Sequence, residues 1–136
     1  MFECLILGDS IAVGTQQVRT ECAVYAKVGI NSRQFNQTFN GEFFSNYVII
    51  SLGTNDQGIK TYDELKKLRS RILAKEKVIW ILPSINENAV SAIMKIANEN
   101  NDMLISPHPK LMSKDGIHPT RTGYEWIASF TKGQEK

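Results

Sequence analysis

The chain reads as an α/β protein built on a parallel sheet with helices on both faces. Three observations predict this. Short apolar runs alternate with segments of helical periodicity along the whole length. Most of those runs are apolar at consecutive positions, as in strands covered on both sides. The length of 136 residues fits one domain, 1–136, around one core.

The elements follow in order. The first strand candidate, Cys4–Leu7, runs straight into Gly8-Asp9-Ser10, where a helix is expected to begin. The second, Ala23–Val28, is followed by Gly29, and Asn31 or Ser32 can start a short helical piece. The third, Tyr47–Leu52, leads into Gly53-Thr54-Asn55-Asp56. Thr61-Tyr62-Asp63-Glu64 has the form of a capping box, with Thr61 as cap and Glu64 as its return partner. Leu65, Leu68 and Ile72 then recur at helical spacing. After the fourth strand, Val78–Leu82, Asn86 can cap a helix striped by Ala89, Ile93, Ile96 and Ala97. After the fifth, Met103–Ile105, Thr120 can cap a last helix with Trp126, Ile127 and Phe130 facing inward. Such alternation of strands and helices implies a parallel sheet.

Composition narrows the function. Apolar content of 42% and charged content of 22% are ordinary for a globular chain. The net charge is +2 and the basic residues are scattered, so no nucleic-acid partner is expected. His108 and His118 lack the companions of a metal site, so neither metal nor cofactor is expected and activity should survive EDTA. Cys4 and Cys22 do not suggest a disulfide framework, and Cys4 reads as a small buried residue. No apolar run reaches membrane-spanning length. No secretory leader precedes the first strand, which makes the cytoplasm the expected location and leaves export by another route open.

In open parallel sheets, ligands sit beyond the carboxyl ends of the strands. That rule gathers Ser10, Gly29, Asn55 and the late segment Asp115-Gly116-Ile117-His118-Pro119 on one edge. Alone, a serine after a strand is usually a helix cap, and a loop histidine is usually a surface residue. Together they fit acyl transfer. Ser10 can attack, His118 can take its proton, and Asp115 can hold the other ring nitrogen. The backbone N–H groups of Ser10 and Gly29 and the side-chain amide of Asn55 can receive a developing oxyanion.

Gly8-Asp9-Ser10, Gly29, Gly53-Thr54-Asn55-Asp56 and Asp115-Gly116-Ile117-His118-Pro119 resemble, in order and spacing, the four signature blocks of the SGNH (GDSL) hydrolase superfamily. The resemblance implies a three-layer, flavodoxin-like fold with five parallel strands in the order 2-1-3-4-5. It also implies Ser10 as nucleophile, His118 as base, Asp115 as its orienting acid, and an oxyanion hole of Ser10, Gly29 and Asn55. Asp9 and Asp56 read as loop-bracing carboxylates. The expected activity is a metal-independent serine esterase. Because no insertion is long enough for a lid, the expected site is a shallow groove lined by Ile11, Ala12, Thr54, Ile85 and the segment around His108. Short acyl esters, such as acetyl groups on a small molecule or carbohydrate, follow from that. A lysophospholipase, an acyl-thioesterase and a non-catalytic binding module on the same fold are the alternatives. A phosphorylatable receiver domain is disfavoured, since an acidic pair after the first strand is replaced by Gly8-Asp9-Ser10. A nucleotide-binding domain is disfavoured because no glycine-rich phosphate loop is present.

Overall fold

The computed structural model describes residues 2–134. Within them the strands are β1 (Phe2–Gly8), β2 (Ala23–Ala26), β3 (Phe43–Ser51), β4 (Ile72–Ile81) and β5 (Met103–Ile105). The helices are α1 (Ser10–Val18), α2 (Ser32–Thr38), α3 (Thr61–Ser70), α4 (Glu87–Asn100) and α5 (Arg121–Gly133). All strand pairs are parallel, and the sheet order is β2-β1-β3-β4-β5. This is the three-layer order that the resemblance implied.

The continuous apolar runs are explained by two cores, one on each face of the sheet. Successive strand side chains point to opposite faces. Leu5 and Leu7, Val48 and Ile50, and Val78 and Trp80 therefore meet Phe35 of α2, Leu65 and Leu68 of α3, and Ile93 and Ile96 of α4. The alternate residues Cys4 and Ile6, Tyr47 and Ile49, and Ile79 and Ile81 meet Ile11 and Ala12 of α1 and Ile127 of α5. The runs Leu5–Leu7, Val48–Ile50 and Val78–Ile81 are thus apolar without a break, and helices cover both sides. On the face of the first core, Asp102 ties α3 to β4, accepting from Arg69 Nε at 2.8 Å and Nη2 at 3.0 Å and from Trp80 Nε1 at 3.0 Å.

Several expected details shift. Asn86 and Thr120 do cap α4 and α5, accepting from the N–H groups of Ala89 and Gly123. Asn31 caps α2 in a reciprocal box with Gln34. Thr61, by contrast, does not cap α3: its hydroxyl donates to Asp56, and Lys60 stands at the cap without a side-chain bond. Ile72 leaves the helical stripe because β4 begins there, directly after the end of α3. Phe130 is 38% exposed. The buried stripe of α5 runs through Gly123, Ile127, Ala128 and Thr131, and Trp126 and Phe130 flank it, stacked on each other at 5.7 Å.

The larger correction concerns the cysteines. Cys4 and Cys22 form a disulfide. They are 18 residues apart, the length of a strand–helix–strand crossover. The register pairs Leu5 with Ala23 on the adjacent parallel strands, which brings the preceding residues side by side. A loop of this size is expected to restrict the unfolded chain by about 3 kcal/mol. Reduction, or Cys22→Ser, should therefore lower the urea-unfolding free energy by about 2–4 kcal/mol. Two free thiols in the denatured, unreduced protein, counted by mass after alkylation, would contradict the bond.

Candidate active site

All five strands point the same way, so every loop that follows a strand opens on one edge. At the end of β1 the chain turns sharply at Gly8, whose φ is +143°. A Cβ there would lie 1.8 Å from the Ser51 carbonyl oxygen, so no side chain fits. Asp9 N–H donates to that same oxygen at 2.9 Å, fixing the elbow against the end of β3. Asp9 then caps α1, its Oδ1 accepting from Ile11 N–H at 3.0 Å. Ser10 is the first helical residue, so its N–H has no acceptor within the helix.

At the other end of the chain, the segment after β5 folds back on itself. Pro109–Leu111 make one 3-10 turn, and Met112 pairs with Pro119 in an isolated antiparallel bridge. Thr120 N–H and Oγ1 both donate to Leu111 O. Ser113 N–H donates to His118 O at 2.7 Å, closing the loop. Inside it, Asp115 Oδ1 accepts from Ile117 N–H at 2.9 Å and His118 N–H at 3.0 Å. Ser84, on the loop after β4, braces this turn by donating to Gly116 O at 2.7 Å.

These loops bring three side chains into one chain of hydrogen bonds. Ser10 Oγ lies 2.8 Å from His118 Nε2, and His118 Nδ1 lies 2.7 Å from Asp115 Oδ2. The N–H groups and ring of His118, together with Ile117 N–H, hold the Asp115 carboxyl down at about 2. An ionised carboxylate can only accept. Nδ1 therefore carries the proton, and Nε2 is left with its lone pair towards the Ser10 hydroxyl. His118 and Asp115 are 40% and 45% exposed, which leaves the chain open to water.

The possible oxyanion donors lie on the neighbouring loops. Gly29 has φ +80° and nothing within 4 Å of a would-be Cβ. No acceptor among the described residues takes its N–H. Asn55 Nδ2 donates one hydrogen to Ile30 O at 3.0 Å, leaving the second unused. The other expected lining residues separate. Thr54 is half-buried and Ile85 is 43% exposed. Ile11 does not line a groove: it is 1% exposed and packs in the core, as does Ala12, because helix α1 turns that face onto the sheet. His108 caps the 3-10 turn by accepting from Lys110 N–H, and its ring meets Trp126 edge-on at 5.6 Å.

Pro107 and Pro109, in the segment expected at the groove, help to wall an apolar hollow of about 420 Å³ beside this loop that sequence reasoning did not foresee. Leu82, Pro83, Val90, Pro107, Pro109 and Met112 wall it, and Gly116 closes one side. The site expected as a shallow groove thus has an apolar hollow beside it. The prolines and Met112 come from segments that read as irregular loop and gave no periodic signal.

Asp9 is the other unusual group. It is fully buried, Oδ1 also accepts from Ser51 Oγ at 3.1 Å, and Oδ2 has no partner. Burial outweighs these bonds and pushes its carboxyl up from 3.8 to about 6. The folded chain thus holds this proton more tightly than the unfolded chain does. The stability so gained is complete below about pH 4 and is lost as pH rises through about 6, a change on the order of 3 kcal/mol. Asp9→Asn keeps an oxygen for Ile11 and Ser51 but cannot ionise. The difference in unfolding free energy between wild type and Asp9→Asn should swing in favour of the variant between pH 4 and 7. A difference that stays flat with pH would refute the assignment.

Among the described residues, no helix is long and apolar enough to cross a membrane. No protein-family model matches the chain, and no curated protein is similar to it in sequence. Solved structures are similar in fold. A GDSL-like lipase from Bacteroides thetaiotaomicron superposes with a TM-score of 0.72 at 17% identity, over 97% of this chain and 86% of that one. An acetyl xylan esterase from Geobacillus stearothermophilus gives 0.71 at 17% identity, over 97% and 93%. The catalytic domain of a peptidoglycan O-acetyltransferase from Streptococcus pneumoniae gives 0.65 at 14% identity, over 96% and 90%. With its strand order and two covered faces, the chain has the fold of the SGNH (GDSL) hydrolases.

Proposed function

We propose that the protein is a serine ester hydrolase. The observation that carries this reading is the continuous chain from Ser10 Oγ through His118 to Asp115. Ser10 Oγ attacks the ester carbonyl carbon while His118 Nε2 takes its proton. The carbonyl oxygen becomes an oxyanion, received by the N–H groups of Ser10 and Gly29 and by Asn55 Nδ2. The helix dipole of α1 adds to the first of these. The C–O bond to the alcohol then breaks, and the leaving oxygen takes the proton back from Nε2. Water attacks the acyl-serine by the same path, again giving its proton to His118, and the acid leaves as Ser10 regains its hydrogen. Asp115 keeps Nδ1 protonated throughout and stabilises the imidazolium. No step calls on a metal or cofactor.

For the acyl group, short chains are the first reading. The open His118–Asp115 edge, with no lid among the described residues, favours acetyl esters on a small molecule or carbohydrate, and an acetyl xylan esterase shares the fold. The apolar hollow beside Gly116 favours a second reading, a longer acyl chain as in a lysophospholipase or acyl-thioesterase. A series of p-nitrophenyl esters separates the two. Each methylene that enters an apolar site contributes about 0.8 kcal/mol. Under the first reading kcat/KM is flat or falling beyond about four carbons. A steady rise to eight or more carbons assigns the hollow to the acyl tail and overturns the short-chain reading.

The Cys4–Cys22 bond bears on location. Disulfides persist in oxidising compartments and are rare in the cytosol, so this pair weighs against the expected cytoplasmic location.

A further inference from the structure

We infer that Asp56 is the residue that positions the oxyanion pocket, acting through the loops after β2 and β4 rather than on substrate. This rests on the hydrolase reading above. Asp56 is 6% exposed. Its carboxylate receives three donors from two loops. Oδ1 accepts from Ser32 N–H at 2.9 Å, and Oδ2 accepts from Ser32 Oγ and from Thr61 Oγ1. Its backbone oxygen accepts from Asn86 Nδ2 at 2.7 Å, and the same amide donates to Gly53 O at 2.9 Å. Three loops of the open edge are therefore joined at one buried residue.

Two of those loops carry the candidate donors. Consecutive side chains on the β3 loop pin alternate residues of the β2 loop: Asn55 holds Ile30, and Asp56 holds Ser32. Gly29 lies just before this pinned stretch. Its left-handed turn has open space on the side a Cβ would occupy, so packing there does not hold it. A turn bond from Ile30 N–H to Lys27 O at 3.3 Å spans Gly29, and the two ties that follow set where that turn, and with it Gly29 N–H, sits relative to Asn55 Nδ2. Donors aimed at a developing charge must be placed within about 0.5 Å. Removing the Asp56 tie should loosen the pair without touching Ser10, His118 or Asp115.

Asn at position 56 is the informative change. It has nearly the same shape, but where the carboxylate offers two accepting oxygens it offers one, and an NH₂ faces the hydroxyls of Ser32 and Thr61. Loss of one oxyanion donor costs about 10²–10³-fold in kcat. A displaced donor should cost less, so Asp56→Asn should lower kcat about 10–100-fold and leave KM within about threefold.

The experiment follows p-nitrophenyl acetate hydrolysis by wild type, Ser10→Ala, Asp56→Asn, Asn55→Ala and the Asp56→Asn/Asn55→Ala double variant. Wild-type turnover that disappears in Ser10→Ala establishes the hydrolase; its failure overturns that reading, and this inference falls with it. Given that turnover, Asp56→Asn should show the kcat-only loss. Added to Asn55→Ala it should cost no more than about threefold further, because both act on one pocket. Ser32→Ala and Thr61→Val remove single donors and should lower kcat in the same sense, by about 3–10-fold; they decide the matter if Asp56→Asn does not fold. Unchanged kcat in the folded Asp56, Ser32 and Thr61 variants, a loss seen only in KM, or losses that multiply in the double variant would each overturn the role.

Discussion

Ser10→Ala should abolish nearly all ester hydrolysis, by about 10⁴-fold or more, in a protein that still folds. The fold should survive because the Ser10 side chain makes one hydrogen bond, to His118, at a half-buried position. What orders the elbow is its neighbours. Gly8 lets the turn pass the Ser51 carbonyl, Asp9 caps α1, and the Ser10 backbone is unaffected by loss of Oγ. His118→Ala should cost about as much. The two groups work as one unit, since the hydroxyl is a poor nucleophile until Nε2 takes its proton. The double variant should therefore be little worse than either single one. Near wild-type turnover by a folded Ser10→Ala protein would remove the nucleophile from the mechanism, whatever the geometry around it.

Much of the architecture was legible because both faces of the sheet are covered. Leu5 to Leu7, Val48 to Ile50 and Val78 to Ile81 alternate between two cores, so each run is apolar without a break. The caps at Asn86 and Thr120 were legible because they are local bonds spanning three residues. What local windows cannot see is which loop meets which. Thr61 has the form of a cap, yet its hydroxyl goes to a carboxylate five residues earlier. Cys4 and Cys22 become neighbours through the register of two strands, a relation no spacing rule for small disulfide-rich proteins would flag. Ile11 was expected at the groove because it follows Ser10, but one residue along a helix turns a side chain by about 100° and here sends it into the core.

The same limit holds at the site. Ser10 and Asp115 through His118 could be named because their residue types and the strand-end rule converge. Their mutual placement needed the turn from Ser113 to Thr120, which is held by bonds to Leu111 and Ser84. The apolar hollow was invisible for a related reason. Its walls come from the loops after β4 and β5 and from Val90, which lies off the apolar stripe of α4. Asp56 was read as a brace, but that it joins three loops emerges only when Ser32, Thr61 and Asn86 are seen around it.

Asp115→Asn should be the next most damaging change after loss of Ser10 or His118, lowering kcat by about 10²–10⁴-fold. The carboxylate has two separate tasks. Oδ1 takes the N–H groups of Ile117 and His118, which shapes the turn, and Oδ2 takes the ring Nδ1. An asparagine can keep the first task with its one oxygen. Its NH₂ then faces Nδ1 and favours the tautomer with Nδ1 as acceptor, so the proton moves to Nε2. In that form His118 cannot receive the proton of Ser10. The lower end of the range applies if water reaches the ring, as the 40% exposure of His118 permits. The loop itself should hold, so KM should change far less than kcat. Because the Asp115 carboxyl stays ionised down to about 2, its own titration cannot produce a loss of activity in mildly acidic buffer. A fall of kcat/KM there that disappears in Asp9→Asn would trace to Asp9, whose buried carboxyl is pushed up to about 6. If Asp115→Asn kept wild-type kcat, His118 would have to be oriented by the turn alone, and the carboxylate would be structural.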